Sequence, residues 1–147
     1  MKTVILAGGY GTRLAEYTDK VPKPMVQIGN KPILSHIMNF YQSYGYDEFI
    51  IAAGYKKDVI REYYEGSKEF KNIKIIDTGE DTMTGGRILR LKSQFDKNEN
   101  FFMTYGDGLC SINLDNLIQF HTSHKKIATV TAVHPPVRFG ELEINGD

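Results

Sequence analysis

An α/β fold, with a mostly parallel sheet and helices on both faces, is predicted by three features of this chain. Short apolar runs bounded by turn residues alternate with stretches of helical periodicity. The first run closes abruptly on two glycines, as a strand does when it enters a loop at a sheet edge. At 147 residues, the chain is long enough for one core, burying about 68–70% of the surface that the unfolded form exposes. Strands that alternate with helices form βαβ units, and these close by right-handed crossovers.

The elements follow in order. Thr3–Ala7 reads as a buried strand, and residues 8–13 as a glycine-rich loop. Ile33, Leu34, Ile37, Met38 and Tyr41 recur at helical spacing. Glu48–Ala53 is a second strand, followed by a helix carrying Val59, Ile60, Tyr63 and Tyr64 on one face. Ile73–Asp77 is a third strand, and Ile88, Leu91 and Phe95 form the apolar face of a third helix. Asn100–Tyr105 is a fourth strand, and Leu114, Leu117, Ile118 and His121 mark a fourth helix. Ala128–Val133 reads as a fifth strand, and Glu141–Ile144 as a strand entering an Asn-Gly turn. A hairpin turn calls for a second strand, so the chain is expected to be the front portion of a longer protein.

Lysine plus arginine equals aspartate plus glutamate, 18 of each, which leaves no bulk field to draw DNA or a membrane surface. No apolar run approaches the length of a membrane span, and Val4–Ala7 is too short for a signal peptide. The single cysteine, Cys110, excludes an internal disulfide, fits a reducing cytoplasm and reads as structural. The four histidines show no metal-ligand spacing; His36 and His121 read as packing residues on helix faces.

In parallel sheets, ligands sit beyond the carboxyl ends of the strands. That rule gathers residues 8–13, 54–55, 77–84 and 106–108 around one crevice. Three stretches there carry chemistry. In "LAGGYGTRL", Gly8, Gly9 and Gly11 let backbone N–H groups approach an anion, while Thr12 and Arg13 add a hydroxyl and a fixed cation. The stretch is neither a Walker A loop nor a dinucleotide fingerprint, and its glycines alone equally describe an ordinary turn. In "VPKPM", two prolines flank Lys23 and are expected to hold its backbone extended, aiming a point charge. A solvated surface lysine has the same pattern. In "TYGDG", Asp107 follows a buried strand between two glycines; a strand-end carboxylate suits Mg²⁺, and a turn aspartate is the alternative.

Together, in this order and spacing, the three stretches resemble the sugar-nucleotide pyrophosphorylases, or nucleotidylyltransferases, and the resemblance runs through the whole chain. "DTGEDTMTGGRILRL", "TYGDG" and "PPVRFGELEI" are most similar to the branch that uses CTP and glucose 1-phosphate. The resemblance implies a Rossmann-like three-layer α/β/α, glycosyltransferase-A-like fold, of which residues 1–147 form the N-terminal nucleotide-binding part. It implies nucleotidyl transfer from CTP to a sugar 1-phosphate, with Mg²⁺ as cofactor and a homo-oligomer as a possible assembly.

Residue by residue, Leu6, Ala7, Gly8, Gly9, Tyr10, Gly11, Thr12 and Arg13 correspond to the family's nucleotide loop, with Gly8 and Gly9 under base and ribose. Arg13 would grip the triphosphate tail, Lys23 would sit on the α-phosphate side, and Asp107 would bind Mg²⁺ with Gly106 beside the nucleotide. Thr82 and Arg87 fall where the family contacts CTP; otherwise Arg87 reads as a surface arginine and Thr82 as a cap or turn hydroxyl. Gly140 matches a position that touches the sugar. The family's second metal-binding aspartate lies in a C-terminal half that this chain does not reach. A different phosphorylated acceptor, or a nucleotide-binding domain without catalysis, are the alternatives. A nicotinamide-dependent oxidoreductase is discarded, because Gly54-Tyr55-Lys56 stands where its ribose-binding acid belongs.

Overall fold

The structure, a computed structural model, describes residues 1–11 and 21–133. It divides into two compact units, Met1–Leu114 and a second that begins at Asp115.

The first unit is built on four parallel strands: β1 (Thr3–Ala7), β4 (Glu48–Ala53), β5 (Asn72–Asp77) and β6 (Phe102–Tyr105), in the order β5-β4-β1-β6. Two-residue strands β2 (Gln27–Ile28) and β3 (Lys31–Pro32) form a small antiparallel ribbon around Gly29-Asn30, a hairpin not anticipated from the sequence. The helices are α1 (Ile33–Gln42), α2 (Lys57–Tyr64), α3 (Thr84–Arg90) and α4 (Leu114–His124).

Register explains the two layers of helices. Thr3 pairs with Phe49 and Phe102, so Thr3, Ile5, Phe49, Ile51 and Phe102 share one face of the sheet. There α1 supplies Tyr41 against the Phe102 ring, and Phe49 meets Phe70, which meets Tyr64 of α2. The Ser35 and Tyr64 hydroxyls share a buried hydrogen bond of 2.7 Å that joins α1 to α2. The opposite face gathers Val4, Leu6, Ile50 and Ala52 with Leu91, and Ile88 of α3 and Phe95 pack against that cluster. The three-layer α/β/α arrangement expected from the sequence is therefore present in this unit. Its buried strands are continuous apolar runs because both faces are covered.

The third apolar face divides: α3 stops at Arg90, and a 3₁₀ turn, Lys92–Gln94, carries the chain on toward Phe95. In the second unit, α4 runs on to His124, whose Nε2 lies 2.8 Å from Thr129 Oγ1, while His121 Nδ1 lies 2.9 Å from the same oxygen. The strand expected at Ala128–Val133 does not form. A strand exists only through a ladder partner, and Val130 and Val133 are exposed. The hairpin expected over residues 141–146 lies outside the described residues. No helix among the described residues is long and apolar enough to cross a membrane.

Candidate functional site

β1 is the point at which the sheet changes direction: the chain leaves it toward β4 and β5, then returns to place β6 on its other side. A crevice opens beyond the carboxyl ends of strands flanking such a point. Here a cleft of about 570 Å³ occupies that position, lined by Leu6–Gly11, Lys23, Pro24, Glu80–Thr84, Arg87 and Tyr105–Asp107. It holds the candidates Leu6–Gly11, Lys23, Thr82, Arg87, Gly106 and Asp107, whereas residues 54–55, expected around the crevice, do not line it. Thr12, Arg13 and Gly140 lie outside the described residues.

One wall pairs two distant segments. Gly106 N–H donates to Leu6 O, which carries the chain from β6 back against β1. A side chain at Gly106 would sit 2.9 Å from Pro24 Cγ, so the glycine lets Pro24 pack directly over the backbone. Lys23 thereby lies beside Asp107, Nζ to Oδ2 at 2.5 Å. The local geometry corrects one expectation: Pro22 is extended (φ −66, ψ 148), but Lys23 itself begins a 3₁₀ turn, Lys23–Met25. Met25 N–H closes that turn on Pro22 O at 2.7 Å, and Pro24 fits because an early turn position requires no N–H. The two side chains are 31% and 35% exposed, so the pair contributes only about 0–1 kcal/mol and yields cheaply to a ligand.

Arg87 forms the floor. It is buried rather than facing solvent, and corrects the surface reading. Its Nη1 donates to Thr78 Oγ1 at 2.7 Å and Gly79 O at 2.6 Å, with a longer approach to Ala53 O. Its Nη2 donates to Gly8 O at 2.8 Å and Glu80 O at 2.9 Å. The end of β4 and the loops after β1 and β5 are thus stitched by one side chain. A Cβ at Gly8 would lie 2.0 Å from Nη1, so Gly8 is bare in order to admit this guanidinium. None of the five acceptors is a carboxylate, so no hydrogen-bonded acid neutralises this guanidinium. Burial pushes the Arg87 pKa down, the nearby Arg90 adds to that, and the group still stays protonated.

Across the mouth, the Tyr10 hydroxyl donates to Asp81 Oδ1 at 2.7 Å, and this bond raises the Tyr10 pKa. The Tyr10 ring tilts against Tyr55 with centroids 5.1 Å apart. Thr82 Oγ1 accepts from Arg90 Nη1 at 2.8 Å. Asp81 and Arg90 were not singled out from the sequence; an acid in a loop and an arginine at the end of a helix carry no local signal of a role. Cys110, expected to be structural, is exposed as a free thiol.

Among the described residues, no group of three or more His, Cys, Asp and Glu is arranged to hold a metal ion. Asp107 offers one accessible carboxylate in the cleft. That suits Mg²⁺, which takes one or two carboxylates and completes its shell from phosphate oxygens and water.

A family profile described as nucleotidyl transferase matches residues 2–147. The chain belongs to the nucleotidyl transferase family. Glucose-1-phosphate cytidylyltransferase of Salmonella typhimurium is 45% identical over 98% of this chain and 65% of its own length. The probable glucose-1-phosphate cytidylyltransferase of Bacillus subtilis is 44% identical over the same shares. This family member therefore spans about 65% of the length of these relatives. The crystal structure of HddC from Yersinia pseudotuberculosis complexed with GMP-PN matches with a TM-score of 0.71 at 30% identity, over 82% of this chain and 53% of that one.

Proposed function

We propose that the protein transfers a cytidylyl group from CTP to a sugar 1-phosphate, with glucose 1-phosphate the first candidate, giving a CDP-sugar and pyrophosphate. The observation that carries this reading is the meeting of Lys23 and Asp107 beside a glycine loop, at the direction change of a parallel sheet. The identity to glucose-1-phosphate cytidylyltransferases supports the choice of base and acceptor.

In the reaction, a phosphate oxygen of the sugar 1-phosphate attacks the α-phosphorus in line. The bond from that phosphorus to the β-phosphate oxygen breaks, and its electron pair leaves with pyrophosphate. No covalent work falls to the protein, so catalysis is positioning and stabilisation of charge. The loop from Gly8 to Gly11 seats the nucleotide over the charge of Arg87, whose own donors stay on the loops. Lys23 leaves Asp107 for the α-phosphate, and Arg13 holds the departing pyrophosphate. Asp107 would hold Mg²⁺, which when bound neutralises the triphosphate.

The HddC complex supports a second reading, a guanine nucleotide as donor. Pyrophosphate release by the full-length protein decides between them, with CTP, UTP, GTP, ATP and dTTP each paired with glucose 1-phosphate. CTP is expected to exceed the others by at least about tenfold, about 1.4 kcal/mol of discrimination. A preference for GTP establishes the second reading. Nucleotide binding without turnover on any sugar phosphate leaves a binding domain and overturns both.

A further inference from the structure

We infer that Arg90 is a positioning residue: by donating to Thr82 Oγ1, it turns that hydroxyl's hydrogen toward the cleft, to be given to an acceptor atom of the bound nucleotide. This rests on the reading of the cleft as a nucleotide site. A threonine hydroxyl has one hydrogen and two lone pairs, and an arginine can only donate. With Arg90 Nη1 at 2.8 Å, the hydrogen of Thr82 therefore points elsewhere, and no other bond to Thr82 Oγ1 forms among the described residues. Thr82 lines the cleft.

The seat of this side chain is built. Gly79 has φ +81, and a Cβ there would lie 2.8 Å from Thr82 Oγ1 and 2.3 Å from Arg90 Nη1. A Cβ at Gly86 would lie 2.9 Å from Thr82 Cγ2. Two glycines thus clear the space in which the threonine rotamer is held. Arg90 Nη1 also donates to Thr78 O at 2.5 Å, which anchors the guanidinium at a second point. Arg90 is exposed and sits at the last position of α3, so it can be altered without emptying the core. With one lone pair of Oγ1 taken by Arg90, the hydroxyl's hydrogen is the group left to offer a carbonyl or phosphate oxygen.

Calorimetry with CTP on the full-length protein tests the arrangement. Thr82→Val is expected to weaken CTP binding about tenfold, and Thr82→Ser to bind like the wild type. Arg90→Met should match Thr82→Val, raising KM with kcat nearly unchanged. The double variant should bind no worse than Thr82→Val alone, because both remove one interaction. Repeating Thr82→Val with cytidine locates the acceptor: a persisting loss puts it on the nucleoside, and a vanished one on the phosphates. Wild-type binding by Arg90→Met, or a double loss equal to the product of the singles, overturns the inference. If Arg90→Met does not fold, equal CTP binding by Thr82→Val and wild type overturns it instead. A wild-type protein that binds no nucleoside triphosphate overturns the reading of the cleft itself.

Discussion

Lys23 Nζ and Asp107 Oδ2 meet at 2.5 Å although 84 residues separate them in the chain. The contact pairs a cation suited to phosphate with a carboxylate suited to a metal ion, so each is held in place and each competes with the other's ligand. Two consequences can be measured by pyrophosphate release against Mg²⁺ concentration. Lys23→Ala should lower kcat by about 10²-fold or more while moving Mg²⁺ half-saturation to lower concentration, since the competing ammonium is gone. Asp107→Asn should raise the Mg²⁺ requirement at least about tenfold. An unchanged requirement would remove this carboxylate from the metal site.

The contact depends on Gly106. A methyl group there would press 2.9 Å from Pro24 Cγ and push the Lys23–Met25 turn outward. Gly106→Ala should cost about 1–3 kcal/mol of stability and lower kcat more than it changes nucleotide affinity. Urea denaturation and steady-state kinetics on the same variant check both parts.

Arg87 and Gly8 should be energetically coupled. Arg87→Met removes the donor to Gly79 O and Glu80 O and one of the donors to Gly8 O, and should destabilise by about 1–3 kcal/mol. Gly8→Ala drives a methyl into the guanidinium and should cost about 1–3 kcal/mol. The double variant should lose clearly less than the sum, because the shortened side chain makes room for the methyl. Additive losses in urea midpoints would contradict the stitched floor.

Acid should destabilise the first unit through defined pairs. Asp77 is held below the ordinary carboxylate range first by its hydrogen bond from Lys57, then by the backbone of Gly79. Glu99 is lowered by Lys2, and Glu69 by Lys31 and then Asn39. A lowered folded-state pKa contributes stability above the unfolded value and loses it as pH falls through the folded value. Urea midpoints should therefore be flat near neutrality and fall as pH drops through and below the ordinary carboxylate range. Asp77→Asn should lower the neutral plateau slightly and shallow that fall by a similar amount.

Much of the fold is legible locally because the signals are local. The runs at Thr3–Ala7 and Glu48–Ala53 carry strand patterning within themselves, and the helical spacing of Ile33 to Tyr41 needs no partner to be seen. Residues 128–133 have the same apolar, β-branched character and form no strand, because strand pairing is supplied by another segment and not by composition. The proline pair at Lys23 was legible as a stiff stretch, read as extended. Its 3₁₀ geometry was not, since a hydrogen bond between Met25 and Pro22 decides it.

The sequence by itself determined the α/β class, the three stretches that converge on the cleft, and the family resemblance they carry. Only the tertiary structure decided how those stretches serve one another. Gly8 is bare for Arg87 and Gly106 for Pro24, and the hydroxyl of Thr82 is oriented by Arg90 from the far end of α3. The physical reason is that each relationship joins different elements: the loop after β1 with α3, the loop after β6 with the Lys23–Met25 turn, and the segment before α3 with its last residue. Sequence periodicity reports which face a residue takes; the distance between two loops is set by the packing of the sheet beneath them.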